Sequence, residues 1–223
     1  MAIASQQGIE SGTYEISVME RILLFVKHNL GFIWTVIESV NNFLFSLLYN
    51  KRLHRVSREV FKEIQHPPII YRKISIAESV ELYEMIKNQP LSDLIFFKPH
   101  SFELDSIATQ TRKSSFLMMG AFSDDNLVGY FFLRMFVNRR CFVGRLIDKD
   151  YRGQGIGLIM NRIMYEIAWR MKFRCLSTIS RNNHAVMRAH SGNRHMVVLK
   201  ELKDDYLLVE FLPYNVTSYK TTE

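Results

Sequence analysis

The residues best suited to chemistry lie together in Asp150-Tyr151-Arg152-Gly153-Gln154-Gly155-Ile156-Gly157, between an apolar run and an amphipathic one. Three alternate glycines allow a sharp turn and a close approach of backbone to ligand. A helix that starts at such a turn points its first unpaired N–H groups at that ligand. The chemistry this suits is anion binding, with a pyrophosphate as the natural guest. Two other phosphate loops do not fit. A P-loop needs Gly-Lys-Ser/Thr four residues after its first glycine, and that is absent. A dinucleotide fingerprint needs Gly-x-Gly-x-x-Gly, whereas here the third glycine comes one residue early and follows antiparallel hairpins rather than an opening βαβ unit.

Read as Arg-x-x-Gly-x-Gly, the segment Arg152 to Gly157, together with the run from Ile147 that leads into it, resembles the pyrophosphate loop of the GNAT superfamily of acyl-CoA N-acyltransferases. Downstream, Asn183-His184-Ala185-Val186-Met187-Arg188-Ala189-His190 is similar to that family's Asn-containing helix. The resemblance spans about residues 69–212. It implies an α/β (α+β) fold, a mixed and mainly antiparallel twisted sheet flanked by helices. It further implies transfer of an acetyl or longer acyl group from acyl-CoA to a primary amine by direct attack in a ternary complex. Acyl-CoA is then a cosubstrate, the amine acceptor is unidentified, and neither a metal nor a covalent enzyme intermediate takes part.

The same resemblance assigns roles. Backbone amides of Gln154, Gly155, Ile156 and Gly157 hold the coenzyme A pyrophosphate, Gly153 shapes the loop and Arg152 adds charge. The edge of the strand from Val143 to Ile147 pairs with the pantetheine arm, as a peptide adds to a sheet edge. This strand and the next splay apart, and an N–H at the splay, on Leu146 or Ile147, polarises the thioester carbonyl. Asn183 contacts the pantetheine or caps its helix. His190 is the general acid for the departing thiolate, since imidazole titrates near neutral pH. No acid lies between Cys141 and Ile147, where the charged residue is Arg145, so the base falls to Asp148 or Asp150 at the strand end, each equally readable as a solvated turn residue. His100 and Glu103 lie where the acceptor site is walled in the family. The Gly-Phe that usually follows the Asn helix is absent, with Arg194-His195 near that place. That departure and the missing strand carboxylate motivate an alternative of another class: a catalytically reduced GNAT-fold scaffold held at a membrane or partner by its N-terminal helices.

The elements that must position these residues are readable from periodicity and punctuation. His66-Pro67-Pro68 breaks a helix, because a proline disfavours helical backbone in the residue before it. A strand over 69–74, helices over 77–88 and 101–112 with Ser101 as cap, and strands over 115–122 and 127–137 around the turn Ser123-Asp124-Asp125-Asn126 follow. A strand over 141–148, the glycine turn, a helix over 156–171, a strand over 174–180, a helix over 183–190 and a last strand pair over 196–199 and 206–212 complete the order. Cys141 and Cys175 share no metal-type spacing and read as small core hydrophobes, which suits a reducing, cytoplasmic setting.

Residues 1–13 are small and polar, read as a flexible terminus without a secretory signal. Residues 14–65 form an amphipathic helical extension and 66–223 the acyltransferase domain. In the extension, polar residues such as Thr35, Glu38/Ser39, Asn42, Ser46 and Asn50 recur at helical steps and mark one narrow stripe, leaving a wide apolar face that needs a cover. Three covers are open. One is a membrane span, against which Glu38, Asn41 and Asn42 weigh. Another is a membrane surface or partner, with Lys51, Arg52, Arg55 and Arg58 at headgroup level. The third is packing on the domain itself or on a second copy. The 223 residues carry a formal charge of +7, all of it between Arg152 and Arg194, where eight Lys and Arg face only Glu166. With no recognisable nucleic-acid module beside it, that charge reads as a phosphate-ligand feature rather than a nucleic-acid surface.

Overall fold

Asp124 and Asp125 both adopt left-handed backbone, with φ of 46° and 65°. A two-residue turn of this kind matches the twist of the strands it joins, so the apolar runs on either side close as a hairpin. The computed structural model describes residues 31–213 and places that hairpin near the middle of one sheet. In chain order the elements are α1 (Gly31–Glu63), β1 (Ile70–Lys73), α2 (Ser79–Lys87), the single-turn α3 (Leu91–Leu94), α4 (Leu104–Thr111), β2 (Phe116–Ser123), β3 (Asn126–Met135), β4 (Arg140–Ile147), α5 (Ile156–Arg170), β5 (Arg174–Ser180), α6 (His184–His190), β6 (Met196–Glu201) and β7 (Tyr206–Phe211). The strands run β1-β2-β3-β4-β5-β7-β6, and the β4/β5 pair alone is parallel. This is the mixed, mainly antiparallel α/β architecture expected from the sequence.

β2 and β3 are buried along nearly their whole length because both sheet faces are covered. One face carries Met119, Phe131, Leu133, Cys141 and Val143 against α1 and α5. The other carries Met118, Tyr130, Phe132 and Leu146 against α2 and α4. Cys141 and Cys175 sit in the first layer as free, buried thiols and are register partners across β4 and β5. Ser101 Oγ accepts a bond from the Glu103 N–H, yet α4 starts later than expected, at Leu104.

The described residues fall into two compact units that divide between Glu38 and Ser39, inside α1. In the first, Trp34 Nε1 donates to Glu38 at 3.1 Å. In the second, α1 is built into the sheet's own core through Phe45, Leu53, Val56 and Val60. Asn41 and Asn42 of this unit are turned inward, toward the sheet. Asn41 Nδ2 donates to the Met135 carbonyl at 3.0 Å and Asn41 Oδ1 accepts from the Val137 N–H at 3.1 Å. Asn42 Oδ1 accepts from both the N–H and the hydroxyl of Ser115, at 3.1 and 3.2 Å. These amides satisfy main-chain groups at strand ends that would otherwise be buried without partners. The outward face is apolar instead, with Phe43 68% and Leu47 75% exposed. Farther along, Arg52 donates to the Arg170 carbonyl at the end of α5, and Arg170 grips both oxygens of Glu63. Among the described residues no helix is long and apolar enough to cross a membrane. The part of the extension before Gly31 lies outside the described residues.

Asn42→Ala strands the buried Ser115 N–H and is expected to cost about 1–3 kcal/mol. In urea titration the midpoint should fall with the slope unchanged, whereas the exposed Phe43→Ser should leave the midpoint where it is.

Candidate active site

The site begins where a strand pair stops. β4 and β5 are in register only from Arg140–Phe142 against Arg174–Leu176, and one further link follows, from Ser177 Oγ to the Val143 carbonyl at 3.1 Å. Past that point each strand keeps only its outer neighbour: β4 stays with β3 as far as Ile147, and β5 stays with β7 as far as Ser180. The two inner edges therefore part, as the resemblance implied.

Which groups face the gap follows from ladder parity. Asp148 N–H donates to the Val128 carbonyl and Phe136 N–H to the Arg140 carbonyl, so even-numbered residues of β4 bond toward β3. Odd-numbered residues turn their main chain toward β5, and beyond Val143 these are Arg145 and Ile147. Leu146, expected as a donor to the thioester, is corrected on this ground: its N–H lies inside the β3 ladder opposite Tyr130. The free donors are Ile147, which was expected, and Arg145, which was not.

The glycine loop continues directly from this edge. Gly153 and Gly155 both have φ of +79°, a conformation that side chains resist, and no atom lies within 4 Å of where a Cβ would stand. The N–H groups of Gln154, Gly155, Ile156 and Gly157 donate to no acceptor among the described residues, while Leu158 N–H already bonds back to Gly155. That is an open anion cradle at the start of the 15-residue α5. Gly157 is glycine for another reason. A Cβ there would stand 2.8 Å from Arg145 Nη1 and 2.8 Å from Ile147 Cδ1, so the absent side chain lets α5 sit directly on β4.

The residue that shapes the loop is one the sequence reading missed. Gln89, 5% exposed after α2, donates to Asp148 Oδ2 at 3.0 Å and accepts from the Lys149 N–H at 3.0 Å and from Arg152 Nη2 at 3.2 Å. Asp148 Oδ1 accepts the Asp150 N–H at 2.9 Å. Both carboxylate oxygens of Asp148 thus hold the turn together, which corrects its reading as a free general base. Asp150 pairs with Lys149 on the surface. Arg152 bonds Asp93 at 2.7 Å and the Ile147 carbonyl at 3.3 Å, so its charge stands at the junction of loop and strand edge. Nothing in the sequence around Gln89 signals this role, because its partners lie about sixty positions away.

Asn183 caps α6, its Oδ1 accepting from the Val186 N–H at 3.2 Å. His190 ends that helix, buried against the Phe211 ring with centroids 5.3 Å apart, its Nδ1 3.4 Å from Asn193 Nδ2. Burial first and the Arg145 charge second pull its pKa down to about 4. The imidazolium expected of a general acid is thus not the form present near neutral pH, and His190 is a neutral ring there. Arg145 itself is half-buried, bonded through Nε to Asn161 at 2.7 Å, so a cation and a neutral imidazole meet on the α5 side of the gap. On the other side His100 Nδ1 lies 2.6 Å from the Ser101 carbonyl and so carries the ring proton, leaving Nε2 to accept from the Tyr130 hydroxyl at 2.9 Å. Burial lowers the His100 pKa, and the cations of Arg134 and Lys113 add to that. Phe97, Phe102 and Phe116 surround the pair. Glu103 is the N-cap of α4 and makes no side-chain cap bond. Among the described residues no group of His, Cys, Asp and Glu could hold a metal ion.

Comparison with known proteins follows the same lines. A family model described as the Acetyltransferase (GNAT) family matches residues 80–192. No curated protein matches the chain significantly in sequence. Among solved structures the chain is similar to the PaiA N-acetyltransferase of Thermoplasma acidophilum in complex with coenzyme A, at 17% identity and a TM-score of 0.56 over 65% of this chain and 99% of that one. It is similar to the GNAT domain of PAT from S. lividans, at 11% identity and 0.54 over 63% and 88%. It is also similar to AAC(6')-Ib in complex with ribostamycin and coenzyme A, at 12% and 0.52 over 70% and 98%. At these identities the likeness is one of fold.

The lowered His190 pKa sets a pH dependence. Between pH 6.5 and about 4 the unfolded chain binds a proton that the folded one refuses, so this residue's contribution to stability falls as the pH drops through that window. His190→Phe should flatten the loss by up to about 3 kcal/mol, measured as the difference between urea midpoints at pH 7 and pH 4.5.

Proposed function

Since the chain belongs to the Acetyltransferase (GNAT) family, we propose that it transfers an acetyl or longer acyl group from acyl-CoA to a primary amine by direct attack in a ternary complex. The observation that carries this reading is the continuity of the β4 edge with the cradle: two unpaired strand N–H groups run straight into four unpaired loop N–H groups. Such a track suits an extended ligand with a pyrophosphate at one end and a thioester at the other. The coenzyme A bound in the PaiA and AAC(6')-Ib structures supports the same cosubstrate here.

In this proposal Gln154 to Gly157 hold the pyrophosphate, with the Arg152 charge nearby. Ile147 N–H pairs with the pantetheine arm, and Arg145 N–H donates to the thioester oxygen as negative charge builds on it. The neutral amine forms the C–N bond, the C–S bond breaks, and the pair leaves on sulfur as thiolate. The Arg145 guanidinium stabilises that charge and the neutral His190 ring donates a hydrogen bond to it. The proton released by the amine passes to water, since His100 Nε2 already accepts from the Tyr130 hydroxyl and that ring serves as part of the aromatic wall beside β3. Asn183 acts by capping α6 and so placing His190. The acceptor is an amine whose identity the aromatic wall of Phe97 and Phe102 would select. The acyltransferase unit is the segment from residue 66, with α1 from Ser39 as the scaffold along its sheet. The alternative of a scaffold that binds coenzyme but does not turn over is favoured by one observation: the carboxylate nearest the gap, Asp148, is consumed by the turn.

Calorimetry with acetyl-CoA should show binding by the native chain and none by Gly155→Glu, in which the carboxylate replaces the phosphate. His190→Phe should bind normally and lose about 10²-fold in turnover, followed as thiol release across a panel of amines. Failure to bind at about millimolar ligand would sink the proposal. Binding without thiol release for any amine would instead establish the scaffold reading.

A further inference from the structure

A second basic site lies at the β1 edge of the sheet, away from the β4/β5 gap. A cavity of about 440 Å³ opens between the C-terminal half of α1, β1 and the turn between α4 and β2. Arg58, Lys62, Lys73, Arg112 and Lys113 line it with His54, and no carboxylate of the described residues is among its walls. Its apolar floor includes Leu53 and Leu117. The Tyr71 side chain forms part of the wall; it is 6% exposed and its hydroxyl is buried without a hydrogen-bond partner. A polar group left in that state costs stability. Burial pushes the phenol up to about 12, so the hydroxyl remains a donor. Several cations around a cavity of this size, with no carboxylate among its walls, describe a receptor for an oxyanion.

The surface beside the cavity says where that oxyanion comes from. Val40, Phe43, Leu47, Lys51, His54, Arg58 and Lys62 follow one another at steps of three and four, so they share one outward row of α1. The first half of the row is apolar and exposed; the second half is basic, with His54, Arg58 and Lys62 opening on the cavity. A free ion would meet the cations and leave the apolar half in water. A lipid surface meets both, with the headgroup phosphate at the basic end and the acyl boundary against Phe43 and Leu47. We infer that this cavity binds the phosphate headgroup of an anionic phospholipid, docking the outward row of α1 on a membrane surface. The site is independent of the acyl-CoA cradle and stands whether or not the acyl-transfer proposal does.

Flotation of the full chain with vesicles of phosphatidylcholine doped with phosphatidic acid tests it. The native chain should float with these vesicles and not with phosphatidylcholine alone, and the effect should weaken with added salt. Arg58→Glu with Lys62→Glu, and separately Phe43→Ser with Leu47→Ser, should each abolish flotation; all four positions are exposed, and circular dichroism should confirm intact folding. Gly155→Glu should float like the native chain. No flotation of the native chain, or flotation unchanged in the Arg58/Lys62 variant, overturns the inference. Calorimetric binding of inorganic phosphate without vesicle binding overturns the lipid source. A concentration-dependent dimer lost in the Phe43/Leu47 variant, without vesicle binding, assigns the row to a second copy and overturns it as well.

Discussion

Everything at the candidate active site depends on a hydrogen-bond ladder that is left unfinished. β4 and β5 are neighbours in a parallel pair, and a sheet gains by continuing such pairing to its end. Here the pairing stops at Phe142 and Leu176. The strands can part without loss of order because each is held by an antiparallel neighbour on its other side, β3 and β7. The main-chain groups freed on the inner edges are polar and close to a layer of core side chains. Left unpaired, they are a standing cost, and a ligand with amides of its own removes that cost on arrival. Binding capacity is in this sense built from an omission, and the parity of the antiparallel ladder decides that Arg145 and Ile147 present their N–H groups while Leu146 does not.

The placement of α1 obeys the same accounting of main-chain partners. A helix rich in Phe, Leu and Val would ordinarily dock by its most apolar face. This one turns Asn41 and Asn42 inward, because the ends of β2 and β3 offer groups at Ser115, Met135 and Val137 that need partners. Amide side chains fill that need, Phe45 and Leu53 pack beside them, and part of the apolar surface is displaced outward. Hydrophobic patterning alone does not anticipate this, since it assigns polar residues to water by default.

That contrast explains what was legible beforehand. Elements with strong periodicity and clear punctuation could be read, including β5 to the residue and α5 with its glycine entry, because local backbone chemistry determines them. The loop could be read as an anion cradle, since positive φ at Gly153 and Gly155 is a property of a short segment. Gln89 could not, nor the engagement of Asp148, because both arise from contacts between α2 and a turn far along the chain. The protonation state of His190 was out of reach for a related reason: the residue type suggests titration near neutrality, and only the packing of Phe211 and the nearness of Arg145 move it. Arg145, the charged residue of its strand, is half-buried and bonded to Asn161 under the start of α5, a placement that its neighbours in the chain do not announce.

Gly157 carries a consequence of its own. Where a methyl group would stand, the Arg145 and Ile147 side chains lie against the first turn of α5, so the phosphate cradle is packed directly on the strand edge. For a long, many-jointed ligand this amounts to a ruler cut in advance: the spacing between the anchored end and the reacting carbonyl belongs to the protein rather than to the ligand's average shape. The entropy lost in fixing that spacing falls on the ligand alone, and alignment at one end is inherited by the other.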